Sequence, residues 1–353
     1  MLPNLFGLDL PGLSRELARL DEPPYRARQV YVWLYKKRVR SIDEMTDLAK
    51  PLRARLAAEF ELRWPEPADR QLSYDGTVKH LFRLDDGASI ESVYIPEEKR
   101  RTICISTQAG CPLQCAFCLT GIRGYRRNLK TWEILGQVAA LMAEAPARTH
   151  GLAWNVVVMG MGEPLLNCDA TLAALRVLMD PGGFAVSPKK LTLSTVGILP
   201  ALEKLMQEPV RPNLAISLHA PNAALRRTLM PIEEKYPLEA VIAAAQRYPI
   251  PSGGLVTYEY VLLRDVNDSE EHARQLARLL KGSRAKVNLI PLNPAPEIPF
   301  RAPTPEAVDA FYAVLAAAQI TVSVRRPRGQ DILAACGQLH LKRAEASAAS
   351  PAP

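Results

Sequence analysis

Three cysteines crowd into eight residues and have the spacing of a metal-binding loop. Cys111, Cys115 and Cys118 form the pattern C-x3-C-x2-C. Three thiolates on one tight loop can hold three irons of a four-iron cluster, and the fourth iron stays open to bind a substrate molecule. A zinc site completed by a distant Cys or His is the alternative. Because no helical or strand period turns all three inward, buried structural thiols are disfavoured.

The composition is that of a globular protein that functions in a reducing compartment. Of the 353 residues, 48% are apolar and 23% are charged, which allows a substantial core. The longest apolar run, residues 310–318, is far below the ~18 residues that a membrane-spanning helix requires. The N-terminus has no basic region and carries Asp9 inside its apolar stretch, so it does not indicate a signal peptide. We therefore expect a cytoplasmic protein with no membrane association, whose clustered cysteines serve metal or redox chemistry.

Positive charge is concentrated in four short stretches. Lys and Arg number 44 against 37 Asp and Glu, a net charge of +7. A polyanion such as RNA is the natural partner of such clusters, because neutralised phosphates release counterions. Solvated surface charge is the alternative explanation. The four stretches are residues 25–28, 36–40, 123–130 and 325–328.

The first 100 residues differ in pattern from the rest of the chain. Residues 1–66 are predicted to form a small helical domain, because apolar residues recur there at helical spacing. Residues 67–100 are predicted to form a linker followed by a β-hairpin. The hairpin strands, 79–84 and 88–95, flank an Asp-Asp-Gly turn signal.

Residues 101–340 alternate β-rich runs with helical runs. This alternation predicts an α/β fold with a parallel sheet and helices outside, either doubly wound or a complete or partial barrel. Residues 341–353, rich in Ala, Ser and Pro, are predicted to be a disordered tail. The predicted strands are 102–106, 154–159, 190–194, 213–218, 255–262 and 286–290, with 320–325 as a seventh. The predicted helices are one that begins at Thr131 and others over 169–179, 238–248, 270–281 and 305–318.

Polar or glycine-rich residues follow five of these strands. Carboxyl ends of parallel strands meet at one edge, where ligands and catalytic groups gather. We therefore expect one shared site there, although any single strand–helix loop is polar for ordinary reasons. In chain order, the segments are the cysteine loop, residues 160–164, Ser194, residues 217–219 and residues 291–293.

Several longer motifs resemble one enzyme family over nearly the whole chain, from about residue 25 to residue 339. They are residues 104–111, 128–131, 160–164, 217–219 and 328–339. Together they resemble the RlmN/Cfr family of radical S-adenosylmethionine RNA adenosine methyltransferases, and the segment around Cys336 is the discriminating one. The resemblance implies a partial (β/α)6-type radical-SAM barrel with a helical accessory domain and a β-hairpin extension. Leu119 departs from the family, which has a small residue after the third cluster cysteine.

The resemblance implies a radical reaction on RNA. Adenine C2 and C8 are not nucleophilic, so polar methyl transfer fails there. Cys111, Cys115 and Cys118 would hold a [4Fe–4S] cluster, whose fourth iron is chelated by S-adenosylmethionine. One S-adenosylmethionine would methylate Cys336, and a second, cleaved reductively, would abstract hydrogen from that methyl group. The resulting methylene radical would add to adenine, and Cys104 would release the product by forming a disulfide.

The remaining site residues also come from the resemblance. Glu91 is the family's suggested proton acceptor, and the choice between Glu91 and Cys104 stays open. An exposed strand carboxylate is the alternative for Glu91, a core residue for Cys104 and tight packing for Cys336. The implied S-adenosylmethionine contacts are Gly162 and Glu163 at the methionine amine, Ser194 at the carboxylate or ribose, Ser217, Leu218 and His219 around the ribose and adenosine, and Asn293 at the ribose hydroxyls.

The expected product is 2-methyladenosine. The implied targets are adenosine 2503 of 23S ribosomal RNA and, in many bacteria, adenosine 37 of certain tRNAs. Cfr-like C8 methylation is the alternative, and the accessory segment 43–48 favours C2. A non-enzymatic zinc-dependent RNA-binding protein and a radical enzyme acting on another substrate are the rivals. We expect a monomer served by a reductant such as flavodoxin, with phosphate contacts at Arg26, Arg28, Lys36 and Lys37.

Overall fold

The N-terminal region is a small helical unit packed around aromatic side chains. The computed structural model describes residues 2–145, 151–250 and 253–339, so the predicted tail lies outside the described residues. The helices are α1 (Leu10–Arg19), α2 (Pro24–Tyr31), which continues as a π-helical turn (Val32–Lys37), and α3 (Lys50–Glu59). Each α-helix has a proline in its first turn, where a missing N–H costs nothing. These helices confirm the predicted helical region. The rings of Phe6, Tyr31, Tyr35 and Trp64 pack together in its core.

An antiparallel extension of three strands follows, where the sequence predicted two. Its strands are β1 (Pro67–Leu72), β2 (Val78–Arg83) and β3 (Ser89–Pro96). The first strand was missed because its sequence, PADRQL, has no apolar alternation and its residues are exposed or half-buried. Each strand pairs with the next, and β3 also pairs antiparallel with β4 (Arg101–Cys104). The extension is therefore continuous with the main sheet.

The main sheet is parallel from β4 onward. Its further strands are β7 (Trp154–Val158), β8 (Leu191–Thr195), β9 (Asn213–Ser217), β10 (Val256–Leu262), β11 (Ala285–Pro291) and β12 (Thr321–Val324). The ten strands lie in the order β1-β2-β3-β4-β7-β8-β9-β10-β11-β12. All seven predicted barrel strands are present, including the seventh. Within the described residues, β1 and β12 are the two edges, so the barrel is partial rather than closed.

Helices connect the parallel strands. Among them, α5 buries the five apolar side chains that the sequence predicted for it, from Ile134 to Met142. The two short helices α7 and α8 were not predicted, because seven or eight residues give too few turns for a clear period. No helix among the described residues is long and apolar enough to cross a membrane. The helices are α5 (Thr131–Ala143), α6 (Cys168–Met179), α7 (Leu199–Met206), α8 (Ala223–Leu229), α9 (Leu238–Gln246), α10 (Glu270–Leu279) and α11 (Pro305–Ala317).

A small second sheet closes the cysteine loop. Strand β5 (Gln108–Gly110) pairs antiparallel with β6 (Tyr125–Asn128), and a short helix, α4 (Leu119–Ile122), lies between them. Gly110 has φ +80°, and a Cβ there would overlap the carbonyl oxygen of Gly124. Only glycine permits this close approach of two backbones. The three-residue ladder was too short to predict, yet it fixes where the cluster cysteines stand.

Candidate active site

The three motif cysteines line one cavity at the carboxyl ends of the parallel strands. The cavity has an empty volume of about 910 Å³, part of it open to solvent. The strand-end residues predicted to share a site therefore do share one. Leu218 differs from its neighbours in that its side chain is fully buried and does not line this cavity. The predicted residues that line it are Cys111, Cys115, Cys118, Gly162, Glu163, Ser194, Ser217, His219, Asn293 and Cys336.

The three motif cysteines are free thiols of one loop, two of them buried and Cys118 half-buried. In a four-iron cube each thiolate binds a different iron, so the three sulfurs must be spread out. Within the described ranges, no three His, Cys, Asp or Glu side chains converge as the ligands of one ion do. Burial raises the pKa of Cys111 to about 12 and that of Cys115 well above its ordinary value. These thiols therefore ionise only beside a strong positive charge such as metal ions supply.

The loop after β7 is held in place by the Glu163 carboxylate. Its Oε1 accepts hydrogen bonds from Thr195 Oγ1 at 2.7 Å and from the Leu165 amide at 2.9 Å, and its Oε2 accepts from the Val196 amide at 2.9 Å. Burial raises the pKa of Glu163 to about 7 despite these donors. Gly162, at φ +98°, brings the backbone against Gln108, where a Cβ would collide. The Glu163 side chain is therefore occupied in holding the loop together. A ligand in the cavity would meet the backbone of this loop rather than the Glu163 carboxylate.

Two serines and an unpredicted glutamate form a polar group inside the barrel. Ser194 Oγ donates to Glu259 Oε2 at 3.0 Å and lies 3.2 Å from Ser217 Oγ. Glu259 is buried on β10 and lines the same cavity. The sequence carries a signal for it, because Glu259 is the lone charged residue in an otherwise apolar strand.

His219 is a neutral side chain locked to the strand beside it. Its Nδ1 accepts the Val261 amide hydrogen at 3.0 Å, and its backbone has φ +59°. Burial, with a smaller contribution from Arg226, lowers the pKa of His219 to about 3. The Phe117 ring packs edge-on at a centroid distance of 4.8 Å. The Nδ1 contact leaves only Nε2 free to meet a ligand.

Cys104 and Cys336 share an adjoining cavity although they lie more than 200 residues apart in the sequence. Cys118 lines this cavity too, so a cluster cysteine and both lone cysteines border one space. Burial raises the pKa of Cys104 to about 12, and the nearby Cys336 raises it further. Burial also raises the pKa of Cys336, while Arg325 acts against it. Cys168 begins α6 and lines neither cavity.

Arg325 lies beside the two lone cysteines. Its Nη1 is 3.8 Å from Glu259 Oε1, and its backbone amide bonds to the carbonyl of Leu289. Cys336 is the main cause of its raised pKa, which burial opposes and Glu259 and Cys104 increase. The expectation that the 325–328 stretch meets RNA stays a prediction, and Arg325 is its half-buried residue, which lines the cavity of the two lone cysteines. A run of arginines gives no sign of which one turns inward.

Glu91 is buried rather than exposed, so the alternative of an exposed strand carboxylate is wrong. Its side chain is 4% exposed, and its Oε1 lies 3.0 Å from the equally buried Lys79 Nζ. Glu91 lines neither cavity. Strand periodicity places it on the same face of β3 as Val93 and Ile95, which line the cavity of Cys104 and Cys336.

Comparisons with known proteins agree with this geometry. A family model described as the ribosomal RNA large subunit methyltransferase N-terminal domain matches residues 3–62, and a radical SAM superfamily model matches residues 105–277. A probable dual-specificity RNA methyltransferase RlmN from Gemmatimonas aurantiaca is 48% identical over 347 residues, 97% of this chain and 94% of that protein. The chain belongs to the RlmN family. The dual-specificity RNA methyltransferase RlmN from Geobacter sulfurreducens is 46% identical over 336 residues, 95% of this chain and 91% of that one.

A solved structure supports the same assignment. A radical SAM methyltransferase from Sphaerobacter thermophilus is 44% identical and superposes with a TM-score of 0.89, over 97% of this chain and 99% of that one. The RlmN family consists of radical SAM RNA methyltransferases, so this chain is an enzyme of that class. A [4Fe–4S] cluster and S-adenosylmethionine are the cofactors that membership implies.

The basic stretches of this RlmN family member divide into free and engaged cations. Arg28 and Lys36 are exposed on the accessory domain. Arg26 is held by a hydrogen bond within its own helix, and the Lys37 ammonium lies 3.1 Å from the centre of the Trp33 ring. Arg127, in another predicted stretch, pairs with Glu133 and Asp86 and so supports the cysteine loop. Arg28 and Lys36 remain the best candidates for phosphate contacts.

Proposed function

We propose that this enzyme forms 2-methyladenosine at adenosine 2503 of 23S ribosomal RNA and at adenosine 37 of tRNAs, with Cys336 as the methyl carrier. One observation carries the proposal: Cys104 and Cys336 border the same cavity as the cluster cysteine Cys118. A carrier thiol, a resolving thiol and the radical source must be close to one another, and a cavity that these three residues line together supports that arrangement. The relatives' names, which specify dual-specificity RNA methyltransferases, support two kinds of RNA target, and the family model of the N-terminal domain names ribosomal RNA of the large subunit.

Cys336 receives a methyl group on its sulfur and presents it to the target adenine. One S-adenosylmethionine would supply the methyl group, and a second, with the cluster that Cys111, Cys115 and Cys118 would hold, would supply the radical that activates it. The cluster would also take up the unpaired electron that radical addition leaves on the adenine. Asn293 Nδ2 donates to the Cys336 carbonyl at 3.3 Å, so the loop after β11 orients the carrier. The Arg325 guanidinium, beside both lone cysteines, favours their thiolates.

Cys104 releases the product. Its thiolate attacks the Cys336 sulfur, a disulfide forms, and the bond between that sulfur and the RNA-bound carbon breaks with its electron pair left on carbon. A proton then completes the new methyl group. Both cysteines end oxidised, so a dithiol or flavodoxin-type reductant must restore them after each turnover. Cys104, at the end of β4, is held firmly while Cys336 sits on a loop.

Glu91 is the proposed acceptor of the proton from the modified carbon. The buried Lys79 ammonium at 3.0 Å compensates its negative charge. Cys104 is the other group that can accept this proton, and it already acts as the resolving thiol. A separate acceptor lets both steps run without Cys104 changing its protonation state twice.

Target RNA would reach the cavity through a basic opening beside it. Arg326 and Arg328 are both exposed and line the cavity of the two lone cysteines. This opening and the exposed Arg28 and Lys36 would bind phosphates on either side of an unstacked adenosine. We propose that the enzyme acts as a monomer, since one chain supplies every group named above.

The test is the isotopic fate of the transferred group. With S-adenosylmethionine labelled as S-CD3, the RNA methyl group should carry two deuteriums, because one is lost from the carried methyl. Retention of all three would contradict a carrier at Cys336. Locating the label at C2 rather than C8 separates the proposed reaction from its Cfr-like alternative. Anaerobically purified protein should be brown, and a colourless zinc-loaded sample would favour the RNA-binding rival.

A further inference from the structure

The segment that carries Cys336 reaches the cavity with almost no regular structure of its own. Residues 328–339 contain one 3-10 turn, Gln330–Ile332, and belong to no strand or α-helix. Leu333, at φ +52°, is in the left-handed region that non-glycine residues rarely adopt. Such a segment does not hold its shape by backbone pairing, so neighbouring elements must hold it.

One side of the segment is bonded to the cysteine loop and to the loop that follows β11, at Asn293 and Pro294. The Leu119 amide donates to the Gly337 carbonyl at 2.9 Å, and Thr120 Oγ1 donates to the Leu339 carbonyl at 2.8 Å. These two residues directly follow the last cluster cysteine. The family departure at Leu119 therefore changes a side chain but keeps the backbone donor.

The other side is bonded to the turn between β1 and β2, residues 73–77. Ser73 Oγ donates to Asp331 Oδ1 at 2.6 Å, and the Tyr74 amide donates to Asp331 Oδ2 at 3.4 Å. In return, the Gly329 amide donates to Asp75 Oδ2 at 3.1 Å. The two segments thus exchange bonds through one carboxylate each, although more than 250 residues separate them in sequence.

A third contact ties the segment to Glu91. The Lys79 ammonium, buried on β2, donates to the Leu333 carbonyl at 3.4 Å and lies 3.0 Å from Glu91 Oε1. Leu333 is three residues before Cys336. One cation therefore bridges the proposed proton acceptor and the backbone that carries the proposed methyl carrier.

We propose that turn 73–77 and Lys79 form a clamp that seats Cys336 in the cavity, and that Asp75, Asp331 and Lys79 are positioning residues for the carrier thiol. The inference rests on the proposed function of Cys336. It assigns the antiparallel extension a direct part in catalysis: the extension holds the segment from the side opposite the cysteine loop. Because Lys79 contacts both, a change in the charge of Glu91 would alter the position of the Lys79 ammonium and so its bond to the Cys336 segment.

Removing one clamp bond should shift Cys336 out of its seat without unfolding the barrel. A single hydrogen bond makes a modest net contribution, so its loss should raise the unseated fraction roughly five- to tenfold. An unseated thiol is more accessible to small reagents and less able to meet a methyl donor bound in the cavity. The clamp therefore predicts effects of opposite sign on two reactions of one sulfur.

The experiment compares Asp75→Ala, Asp331→Ala and Lys79→Met with wild type, using enzyme reconstituted with its cluster and free of S-adenosylmethionine. The first readout is the rate at which iodoacetamide alkylates Cys336, relative to Cys168 in the same molecule. The second is the rate of Cys336 S-methylation after S-adenosylmethionine is added. Both come from peptide mass spectrometry. Each variant should speed alkylation roughly five- to tenfold and slow methylation by a similar factor.

Matched variants separate seating from general destabilisation. Asp85→Ala alters the turn at the opposite end of β2, where Asp85 pairs with Arg63 and where no bond to segment 328–339 is found among the described residues, and should change neither rate. Lys79→Arg keeps the positive charge and should restore most of the methylation that Lys79→Met loses. Asp331 is exposed, so Asp331→Ala should fold. If Lys79→Met does not fold, the two rates of Asp331→Ala test the clamp instead.

Unchanged alkylation of Cys336 in both aspartate variants would overturn the clamp. So would alkylation of Cys336 that rises only in proportion to that of Cys168, because general unfolding exposes both thiols whereas lost seating exposes Cys336 alone. If wild-type Cys336 is never methylated while the alkylation rates still respond, the proposed function fails and the clamp stands. If wild type is methylated and the variants match it in both rates, the clamp fails alone.

Discussion

Two walls of the cavity are built in different ways. The first wall consists of the cysteine loop and the parallel-strand ends that carry Glu163, Ser194 and His219, and a continuous hydrogen-bonded sheet sets its geometry. The second wall is the irregular segment 328–339, which side-chain bonds from the antiparallel extension and the cysteine loop hold in place. The first wall carries the residues expected to bind the cofactors, and the second carries the proposed methyl carrier.

The difference teaches how a rigid and an adjustable part can share one site. Backbone ladders are cooperative, so a single side-chain change in the first wall is absorbed unless it blocks a backbone approach. The second wall depends on individual bonds between distant segments, each of which one substitution can remove. A carrier that must be methylated, attacked and reduced in turn needs the second kind of support.

The largest expected effect on RNA methylation comes from substituting the two lone cysteines. Cys104 ends a strand of the main sheet, whereas Cys336 lies on the irregular segment. Cys336→Ala should abolish RNA methylation and form no covalent adduct, since the carrier atom is gone. Cys104→Ala should also stop product release, but it should accumulate enzyme–RNA adduct because the resolving thiol is missing. Denaturing gels before and after nuclease treatment, with mass spectrometry of the Cys336 peptide, measure both. Normal turnover by Cys104→Ala would remove that residue from the mechanism.

The first wall should fail where backbones approach most closely. Gly110→Ala places a Cβ against the Gly124 carbonyl, so the loop between β5 and β6 must shift and the cysteines with it. We expect the iron and sulfide content per chain to fall by more than half. Gly87→Ala is the matched control, because φ is +76° there and no atom lies within 4 Å of the added carbon. It should cost about 1 kcal/mol of stability and leave the iron content unchanged. Full iron content in Gly110→Ala would show that this loop is adjustable too.

Arg325 lies where the two walls meet, beside Glu259 of the sheet and Cys336 of the irregular segment. Arg325→Met removes the positive charge beside both lone cysteines and leaves the buried Glu259 carboxylate without its cation. The methylation rate constant should fall about 100-fold, equivalent to about 3 kcal/mol of barrier. Arg326→Met, at the exposed neighbouring position, should change kcat by less than about threefold and act mainly on the KM for RNA. Equal effects of the two substitutions would place Arg325 with the surface cations.

The sequence predicted the first wall better than the second for physical reasons. Cysteine spacing and strand periodicity are local, so Cys111 to Cys118 and most strand-end residues were found from the pattern alone. Cys336 entered only through the family resemblance, because nothing near it in sequence shows that β1 and β2 hold it. Lys79, like Glu259, is a charged residue in a buried strand, and that is a signal the sequence does contain. Strand β1 gave no signal, since its residues are polar and it is stabilised by pairing with β2 alone.

The smallest expected effect is the acid sensitivity of the extension that supports the second wall. His80 is buried on β2, and burial, with a contribution from Arg70, lowers its pKa from 6.5 to about 4. Between these values the unfolded chain binds a proton that the folded one does not, so the free energy of unfolding should fall as the pH drops from about 7 to 4. The loss attributable to His80 should be at most about 3 kcal/mol, because each pKa unit corresponds to about 1.4 kcal/mol. His80→Gln removes this titration, so denaturant unfolding of wild type and variant should give a stability difference that changes with pH over that window only. A constant difference from pH 8 to pH 4 would show that His80 has the same pKa in the folded and unfolded chains, with Glu144, 3.5 Å away, offsetting the effect of burial.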